Sequence, residues 1–258
     1  MKHPRTRNVL PLLPLLVPLV LLLLATLVFR WTNLDRVVCG LFFGGDAQWP
    51  LVHVQPFRFL YQYGPYPGVA VLIAAVIFWV WGLVFHRGVA RRALFCILVV
   101  LLGPGLLVNG ILKPQVSRPR PNQITDFGGS MEYLPVLTLS SHPEPAYMSF
   151  PSGHASMGFV LLAPALLLRR RRKIFVAAIG ASIGLGILIG TARVIQGKHF
   201  PSDVLWSAAI VYLTAVPLYS WLRIGQLSSL SLARAKPTKG STAKNHSPDV
   251  CPQPLIAR

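Results

Sequence analysis

The sequence predicts an all-α protein, organised as a bundle of six transmembrane helices. Of its 258 residues, 53% are hydrophobic and only 12% are charged, whereas about a quarter of the residues in a soluble domain are charged. Six apolar runs approach the ~20 residues that an α-helix needs to cross a bilayer. Basic residues cluster at the ends of these runs, as is typical of membrane proteins.

The predicted spans fill most of the first 222 residues. In chain order they are residues 9–29, 67–86, 92–112, 155–168, 174–192 and 203–222. The fourth is short, and we expect its helix to begin near Ser152. Residues 1–222 are therefore predicted to form one membrane-embedded domain. Residues 223–258 are basic and rich in Ser and Pro, which is typical of a disordered tail.

Two spans have features of their own. The first follows basic residues, as a signal peptide does, but it is long and no small-residue cleavage site follows it, which favours an uncleaved span. The fifth contains Gly180, Gly184, Gly186 and Gly190. Small residues spaced four apart predict a face for close helix packing.

The distribution of charge predicts the orientation. Of the 25 Lys and Arg residues, 17 lie in the termini and the loops that share their side, and 8 lie in the opposite loops. The positive-inside rule then puts both termini in the cytoplasm. A net charge of +18 could suggest nucleic acid binding, but the basic residues flank apolar runs instead of forming a face on a soluble domain. We therefore expect no nucleic acid partner.

Two long loops are predicted on the non-cytoplasmic side. Residues 32–66 are rich in aromatic side chains, which suits either a short helix lying at the interface or an ordinary ordered loop. Residues 122–150 contain three prolines, and long loops of this kind often cover functional sites.

Three segments at the ends of spans contain the residues suited to chemistry, and His199 and Asp203 form the last of them. If residues 200–203 begin the sixth helix, the carboxylate lies one turn from the imidazole. A carboxylate on one ring nitrogen fixes the tautomer and leaves the other nitrogen free to attack. The alternative is that both residues only cap the sixth span.

The second segment consists of Pro151, Ser152, Gly153 and His154. Glycine permits close backbone approach, and the N–H groups at a helix start attract anions. His154 could protonate a leaving alkoxide. Alternatively, Ser152 is a plain N-cap and His154 an interfacial residue.

The first segment contains Lys113, Arg118 and Arg120, and Arg193 adds a further cation from the start of the third. Arginine side chains bind phosphate oxygens in a bidentate manner, and phosphoryl transfer relies mainly on fixed positive charge. Alone, the first segment could also be an interfacial anchor. All three segments fall on one membrane face by the charge distribution, which favours a shared site.

These motifs resemble those of the type 2 phosphatidic acid phosphatase superfamily, which also includes the vanadium haloperoxidases. The resemblance covers about residues 66–222. It depends on three sets of residues, namely Lys113 with Arg120 and Pro121, Pro151 to His154, and Arg193 with His199 and Asp203. One departure is Ala192, where the family usually has serine, which removes one hydroxyl contact.

The resemblance implies a phosphatase without a metal or other cofactor. His199 would be the nucleophile, Asp203 its orienting partner, and His154 the acid of the first step and the base of the second. Phosphate would be bound by Lys113, Arg120, Ser152, Gly153 and Arg193. The sequence agrees in one respect, since no other His, Cys and carboxylate cluster has the spacing of metal ligands.

A site at the non-cytoplasmic surface suits a membrane lipid phosphate as substrate. The resemblance favours lipid A or a related glycolipid in a bacterial inner membrane, with the site facing the periplasm. Undecaprenyl pyrophosphate hydrolysis and phosphotransfer to a second lipid are the alternatives within the family. Two intact histidines argue against a scaffold or transporter with a degenerate site. A chain that spans the membrane argues against a vanadium haloperoxidase. The sequence does not indicate an oligomeric state.

Overall fold

The structure is a computed structural model that describes residues 13–46, 48–139 and 147–225. Within these ranges the regular structure is helical and contains no β-strand, as the sequence predicts. In chain order the helices are α1 (Leu13–Trp31), α2 (Leu34–Gly40), α3 (Phe57–Tyr63), α4 (Tyr66–Phe85), α5 (Arg87–Val100), α6 (Lys113–Val116), α7 (Gly153–Phe159), α8 (Leu162–Leu167), α9 (Arg172–Ile195) and α10 (Pro201–Trp221). A π-helical stretch, Leu101–Leu112, joins α5 to α6.

Five helices in the described residues are long and apolar enough to cross a membrane. They correspond to the first, second, third, fifth and sixth predicted spans. The fourth predicted span is the shorter apolar stretch Gly153–Leu167, and the count of six spans therefore stays a prediction. Residues 9–12 of the first span and residues 226–258 of the tail lie outside the described residues.

Pro164 explains why the fourth apolar stretch is divided into α7 and α8. A proline has no N–H to donate to the carbonyl four residues earlier, and its ring clashes with that carbonyl. Four residues before Pro164 is Val160, and α7 ends at Phe159 while α8 begins at Leu162. The break therefore falls where the proline requires it.

The glycines of α9 divide into two pairs on opposite faces. Gly186 packs against Phe159 and Gly190 against Val204, so closely that a Cβ at either position would approach within 2.3 Å. Gly180 and Gly184 have open space around them. The step of two positions from Gly184 to Gly186 turns the helix by about 200°. Only the second pair therefore forms the predicted close-packing face.

The loop after α1 contains two short helices, α2 and α3. The predicted position of such a helix at the membrane interface stays a prediction. Helix α2 packs against α10 and α3 against α9. The start of α7, the end of α9 and the start of α10 meet beneath these two helices. The three segments singled out in the sequence therefore converge at one end of the bundle.

Candidate active site

His199 lies in the turn between α9 and α10 and is only 3% exposed. Its Nδ1 atom is 2.6 Å from the carbonyl oxygen of Ser149. Because a carbonyl can only accept a hydrogen bond, Nδ1 carries the proton and donates it. The Nε2 lone pair is then free to act as a nucleophile.

Burial lowers the pKa of His199 to about 4, although the charge of Asp203 opposes this shift. The cations Arg193 and Lys113 lower the pKa further. The imidazole is therefore neutral at physiological pH, which is the form that can attack an electrophile.

Asp203 faces the same ring nitrogen of His199, as the spacing predicts, but at 3.6 Å. The direct hydrogen bond to Nδ1 is made by Ser149 instead. The Asp203 carboxylate accepts from the Ser149 hydroxyl at 2.6 Å and from the Phe200 backbone N–H at 2.8 Å. The second of these contacts caps α10, so the capping alternative describes one of the bonds that Asp203 makes.

Arg118 is completely buried and bridges two buried carboxylates. Its Nη1 donates to Asp203 Oδ1 at 2.7 Å, and its Nη2 donates to Asp35 Oδ2 at 2.8 Å. Its Nε donates to the carbonyl oxygen of Leu134. A left-handed turn at Ser117, with φ of 46°, comes directly before it. The cation therefore acts beneath the site, on Asp203, and not as a surface anchor.

Asp35, from α2, completes this network at the start of α10. Its Oδ1 accepts from the Ser202 backbone N–H at 3.0 Å, and its Oδ2 accepts from the Ser202 hydroxyl. A carboxylate at a helix N-terminus satisfies otherwise unpaired N–H groups and interacts favourably with the helix dipole. The helix that holds Asp203 is thereby fixed by a residue 168 positions earlier in the chain.

Gly153 is the first residue of α7, and Lys113 lies directly beside it. A Cβ added at Gly153 would be 3.0 Å from Lys113 Nζ and 3.0 Å from Asn109 Oδ1. Ser152 is the N-cap of α7, and its hydroxyl accepts from the Ala155 N–H at 3.4 Å. Glycine therefore allows the lysine ammonium to lie against the backbone at this helix start.

Two arginines of the predicted set have buried nitrogens that lack a partner. Among the described residues, Arg120 Nε and Arg193 Nε are buried without any hydrogen bond. Unsatisfied buried donors are rare because they cost free energy, and each calls for an explanation. An anion bound between these guanidinium groups would supply the missing acceptors.

Lys198 adds a fourth cation to the group formed by Lys113, Arg120 and Arg193. Burial lowers its pKa, and the charges of Arg120 and Arg193 lower it further. Such electrostatic effects require that the three cations lie close together. The site therefore concentrates positive charge next to a neutral histidine.

His154, the second residue of α7, contacts an aromatic ring that lies outside the three motifs. Its imidazole stacks on Tyr61 of α3, with ring centroids 5.4 Å apart and an interplanar angle of 25°. The Arg193 guanidinium lies 4.5 Å from the centroid of the same Tyr61 ring.

Five contributors were therefore missed in the sequence, namely Asp35, Tyr61, Asn109, Ser149 and Lys198. Asn109 could have been found, because a polar side chain within an apolar span often marks a functional site. Asp35 is one of only seven acidic residues, which is also a usable signal. Ser149 acts through its hydroxyl, which donates to Asp203, and through its backbone carbonyl, which accepts from His199. No sequence pattern predicts the carbonyl contact.

Across the described ranges, no group of three or more His, Cys, Asp or Glu side chains is arranged to hold a metal ion. The side chains that converge on the site are instead cations, two histidines and buried carboxylates.

This arrangement defines a membrane-embedded protein with a cluster of cations beside a buried histidine. Residues 92–225 match the PAP2 superfamily, and the chain belongs to that family. It is a hydrolase of the phosphatase class, as the motifs predict.

The relatives found among characterised proteins are lipid A phosphatases. The chain is 33% identical over 195 residues to the lipid A 4'-phosphatase of Francisella tularensis subsp. novicida, a match that covers 73% of this chain and 86% of the relative. It is 32% identical to the lipid A 4'-phosphatase of Rhizobium leguminosarum, over 52% of this chain and 58% of that protein. It is 35% identical to the lipid A 1-phosphatase of Rhizobium johnstonii, over 49% of this chain and 47% of that protein. No solved structure matches the chain.

Proposed function

We propose that this protein removes a phosphate from lipid A or a related glycolipid through a phosphohistidine intermediate. The observation on which the proposal mainly depends is the pair of buried, unpartnered guanidinium nitrogens on Arg120 and Arg193. They lie in a cationic group next to His199, whose free Nε2 is not protonated at neutral pH. Such a cluster of cations beside a neutral imidazole suits a phosphate monoester, which is anionic and electrophilic at phosphorus.

In the first step, His199 Nε2 attacks phosphorus and the bond from phosphorus to the lipid oxygen breaks. His154 donates its proton to the leaving alkoxide, which departs as an alcohol. The cations Lys113, Arg120 and Arg193, with Ser152 and the Gly153 N–H, hold the phosphoryl oxygens as charge develops on them. Asp203 and the Ser149 carbonyl stabilise the positive charge that forms on the His199 ring.

In the second step, water attacks the phosphorus of the phosphohistidine. His154, now neutral, takes a proton from that water, and the nitrogen–phosphorus bond breaks. Inorganic phosphate leaves, and both histidines return to their initial states. The cycle consumes one water molecule and uses no metal ion.

The choice of lipid A as substrate rests on the relatives. The match to a lipid A 4'-phosphatase extends over most of both chains, which supports the 4'-phosphate over the 1-phosphate. The location follows from the charge distribution, with both termini in the cytoplasm and the site facing the periplasm of a bacterial inner membrane.

The proposal is tested with the purified full-length protein in detergent. Bis-phosphorylated lipid A, phosphatidic acid and undecaprenyl pyrophosphate are supplied separately in the presence of EDTA, and phosphate release is measured. We expect release from lipid A, with a product lighter by one HPO₃ unit in mass spectrometry. Fragmentation of the product shows which of the two phosphates was removed.

His199→Ala is expected to abolish this release, while the exposed His53 provides a matched control as His53→Ala. Retained activity in His199→Ala would overturn the nucleophile assignment. A second lipid added as acceptor distinguishes hydrolysis from transfer, since a phosphotransferase would phosphorylate that lipid instead of releasing phosphate.

A further inference from the structure

Helix α3 lies outside the part of the chain that matches the PAP2 superfamily, yet it contacts the site directly. The family match begins at residue 92, and α3 is Phe57–Tyr63. The Gln196 side chain, at the end of α9, donates from Nε2 to the Phe57 carbonyl oxygen at 2.9 Å. The same glutamine accepts from Arg193 Nη1 at 2.6 Å. Arg193 is therefore linked to the backbone of α3 through one side chain.

Tyr61 provides a second link between α3 and the site. Its ring stacks on the His154 imidazole, at 5.4 Å and 25°, and it also faces the Arg193 guanidinium at 4.5 Å. One aromatic ring therefore touches both the proposed general acid and a proposed phosphate ligand. None of the three sequence motifs includes this residue.

We propose that Tyr61 is a positioning residue, whose ring holds the His154 imidazole and the Arg193 guanidinium in the orientation needed for phosphoryl transfer. This inference rests on the proposed function. It assigns to α3 a part in the reaction that the family motifs leave out.

The physical reason is that the ring face restricts the rotation of both contacted groups. An imidazole turns about a soft side-chain torsion, and a parallel aromatic neighbour favours one ring plane. When His154 is protonated, the π face also attracts its positive charge, as it attracts that of Arg193. The ring thereby orients both groups without contacting the substrate.

The same contacts explain why Arg193 has a nitrogen left for an anion. Gln196 occupies Nη1, and the Tyr61 ring covers one face of the guanidinium. The Nε atom of Arg193 is buried without a partner among the described residues. The aromatic ring thus fixes the guanidinium while leaving an edge nitrogen free.

Tyr61 is also 49% exposed, so its removal should disturb the core little. This makes a functional effect separable from a loss of folding. The test compares Tyr61→Leu, which loses the aromatic ring, with Tyr61→Phe, which keeps it. Tyr63→Leu is the matched control, because Tyr63 belongs to the same short helix and contacts Phe59 and Tyr66 instead of the site.

Two measurements are made on each full-length variant. The first is kcat/KM for a lipid phosphate, with an alkoxide leaving group, and for an aryl phosphate whose leaving group needs no proton. The second is the rise in thermal midpoint caused by orthovanadate, a phosphate mimic, which reports anion binding without turnover.

We expect Tyr61→Leu to lower kcat/KM for the lipid phosphate by about 10- to 100-fold, which is less than the roughly 10²–10⁴-fold that complete loss of a general acid costs. The loss with the aryl phosphate should be several-fold smaller, and the orthovanadate shift should shrink. Tyr61→Phe and Tyr63→Leu should remain within about 3-fold of the unaltered protein, because neither loses the ring at position 61.

Equal losses on the two substrates in Tyr61→Leu, or losses in Tyr61→Phe as large as in Tyr61→Leu, would overturn the inference. A Tyr61→Leu variant with unchanged kcat/KM and an unchanged orthovanadate shift would also overturn it. Failure of the proposed function gives a different pattern, since the unaltered protein would then release no phosphate from lipids or His199→Ala would remain active.

Discussion

Arg118 Nη1 donates to Asp203 Oδ1 at 2.7 Å, and the side chains of both residues are entirely buried. The guanidinium also pairs with the buried Asp35 at 2.8 Å. Three charges from three distant parts of the chain therefore form one network beneath His199. The proposed orienting carboxylate is held in place from below, and the site depends on α2 as much as on the motifs.

Replacing Arg118 with Met is expected to destabilise the protein strongly. The change leaves Asp35 and Asp203 buried without a counter-charge, and the loss of one partner from a buried ion pair costs about 3–5 kcal/mol. The measurement is thermal unfolding in detergent.

Arg36→Met is the matched control for Arg118→Met. Arg36 pairs with Asp126 at 3.0 Å, but both side chains are about a third exposed, and surface ion pairs contribute little to stability. Equal thermal midpoints for the two variants would contradict the importance of the buried network.

Gly153→Ala is expected to impair phosphate binding while leaving the fold intact. The added Cβ would meet Lys113 Nζ and Asn109 Oδ1 at 3.0 Å. Both atoms end flexible side chains, which can move by a few tenths of an ångström. The displaced ammonium should weaken orthovanadate affinity by about 10-fold, or ~1.4 kcal/mol.

The control for this change is Gly180→Ala, since no heavy atom lies within 4 Å of a Cβ at that position. It should leave orthovanadate affinity unchanged, and alanine is the better helix former. Undiminished affinity in Gly153→Ala would show that Lys113 does not depend on the glycine.

His154→Ala should slow hydrolysis in a way that depends on the leaving group. A lipid alkoxide needs a proton as it departs, so turnover of a lipid phosphate should fall by roughly 10²–10⁴-fold. An aryl phosphate with an acidic leaving group should lose far less. If both substrates lost the same factor, His154 would have a role other than protonating the leaving group.

The pH dependence of kcat/KM should show an acidic limb well below the ordinary histidine pKa of about 6.5. Burial lowers the pKa of His199 to about 4, so the free imidazole persists down to that range. Activity that depends on this nucleophile is full above about pH 5 and is lost as the pH falls through 4. Folding stability should also decrease as the pH drops from 6.5 towards 4, because the unfolded chain binds the proton more readily.

The substrate titrates as well, with a second phosphate pKa near 6. We therefore divide each rate by the concentration of a single ionic form of the substrate. Two aryl phosphates with different phosphate pKa values are compared, so that a limb caused by the substrate moves with its pKa. A limb that stays near 6.5 after this correction would mean that the His199 imidazole is not shielded from water as the structure implies.

The predicted orientation is tested with single cysteines on opposite sides of the membrane. Cys39 and Cys96 are buried, so a Cys251→Ser background leaves few reactive thiols. Glu132→Cys should react with a membrane-impermeant thiol reagent in spheroplasts, and Arg172→Cys should react only after lysis. The reverse pattern would place the site on the cytoplasmic side.

Several local features were predictable because they depend on neighbouring residues. The start of α10 falls within residues 200–203 and the start of α7 next to Ser152, as the sequence indicates. The division of the fourth span at Pro164 follows from the same local chemistry. The short helices α2 and α3 could not be distinguished from an ordered loop, since their aromatic residues fit both.

The sequence by itself determined an all-helical membrane protein, the three motifs and their convergence on one side. These follow from apolar length, charge at the ends of spans and residue spacing, which are local properties of the chain. Only the tertiary structure decided what each side chain contacts. Packing of α2 and α3 onto α10 and α9 brings Asp35 to Arg118 and Tyr61 to His154. Such contacts join residues more than 80 positions apart, and they depend on how the helices pack against one another, which spacing along the chain does not specify.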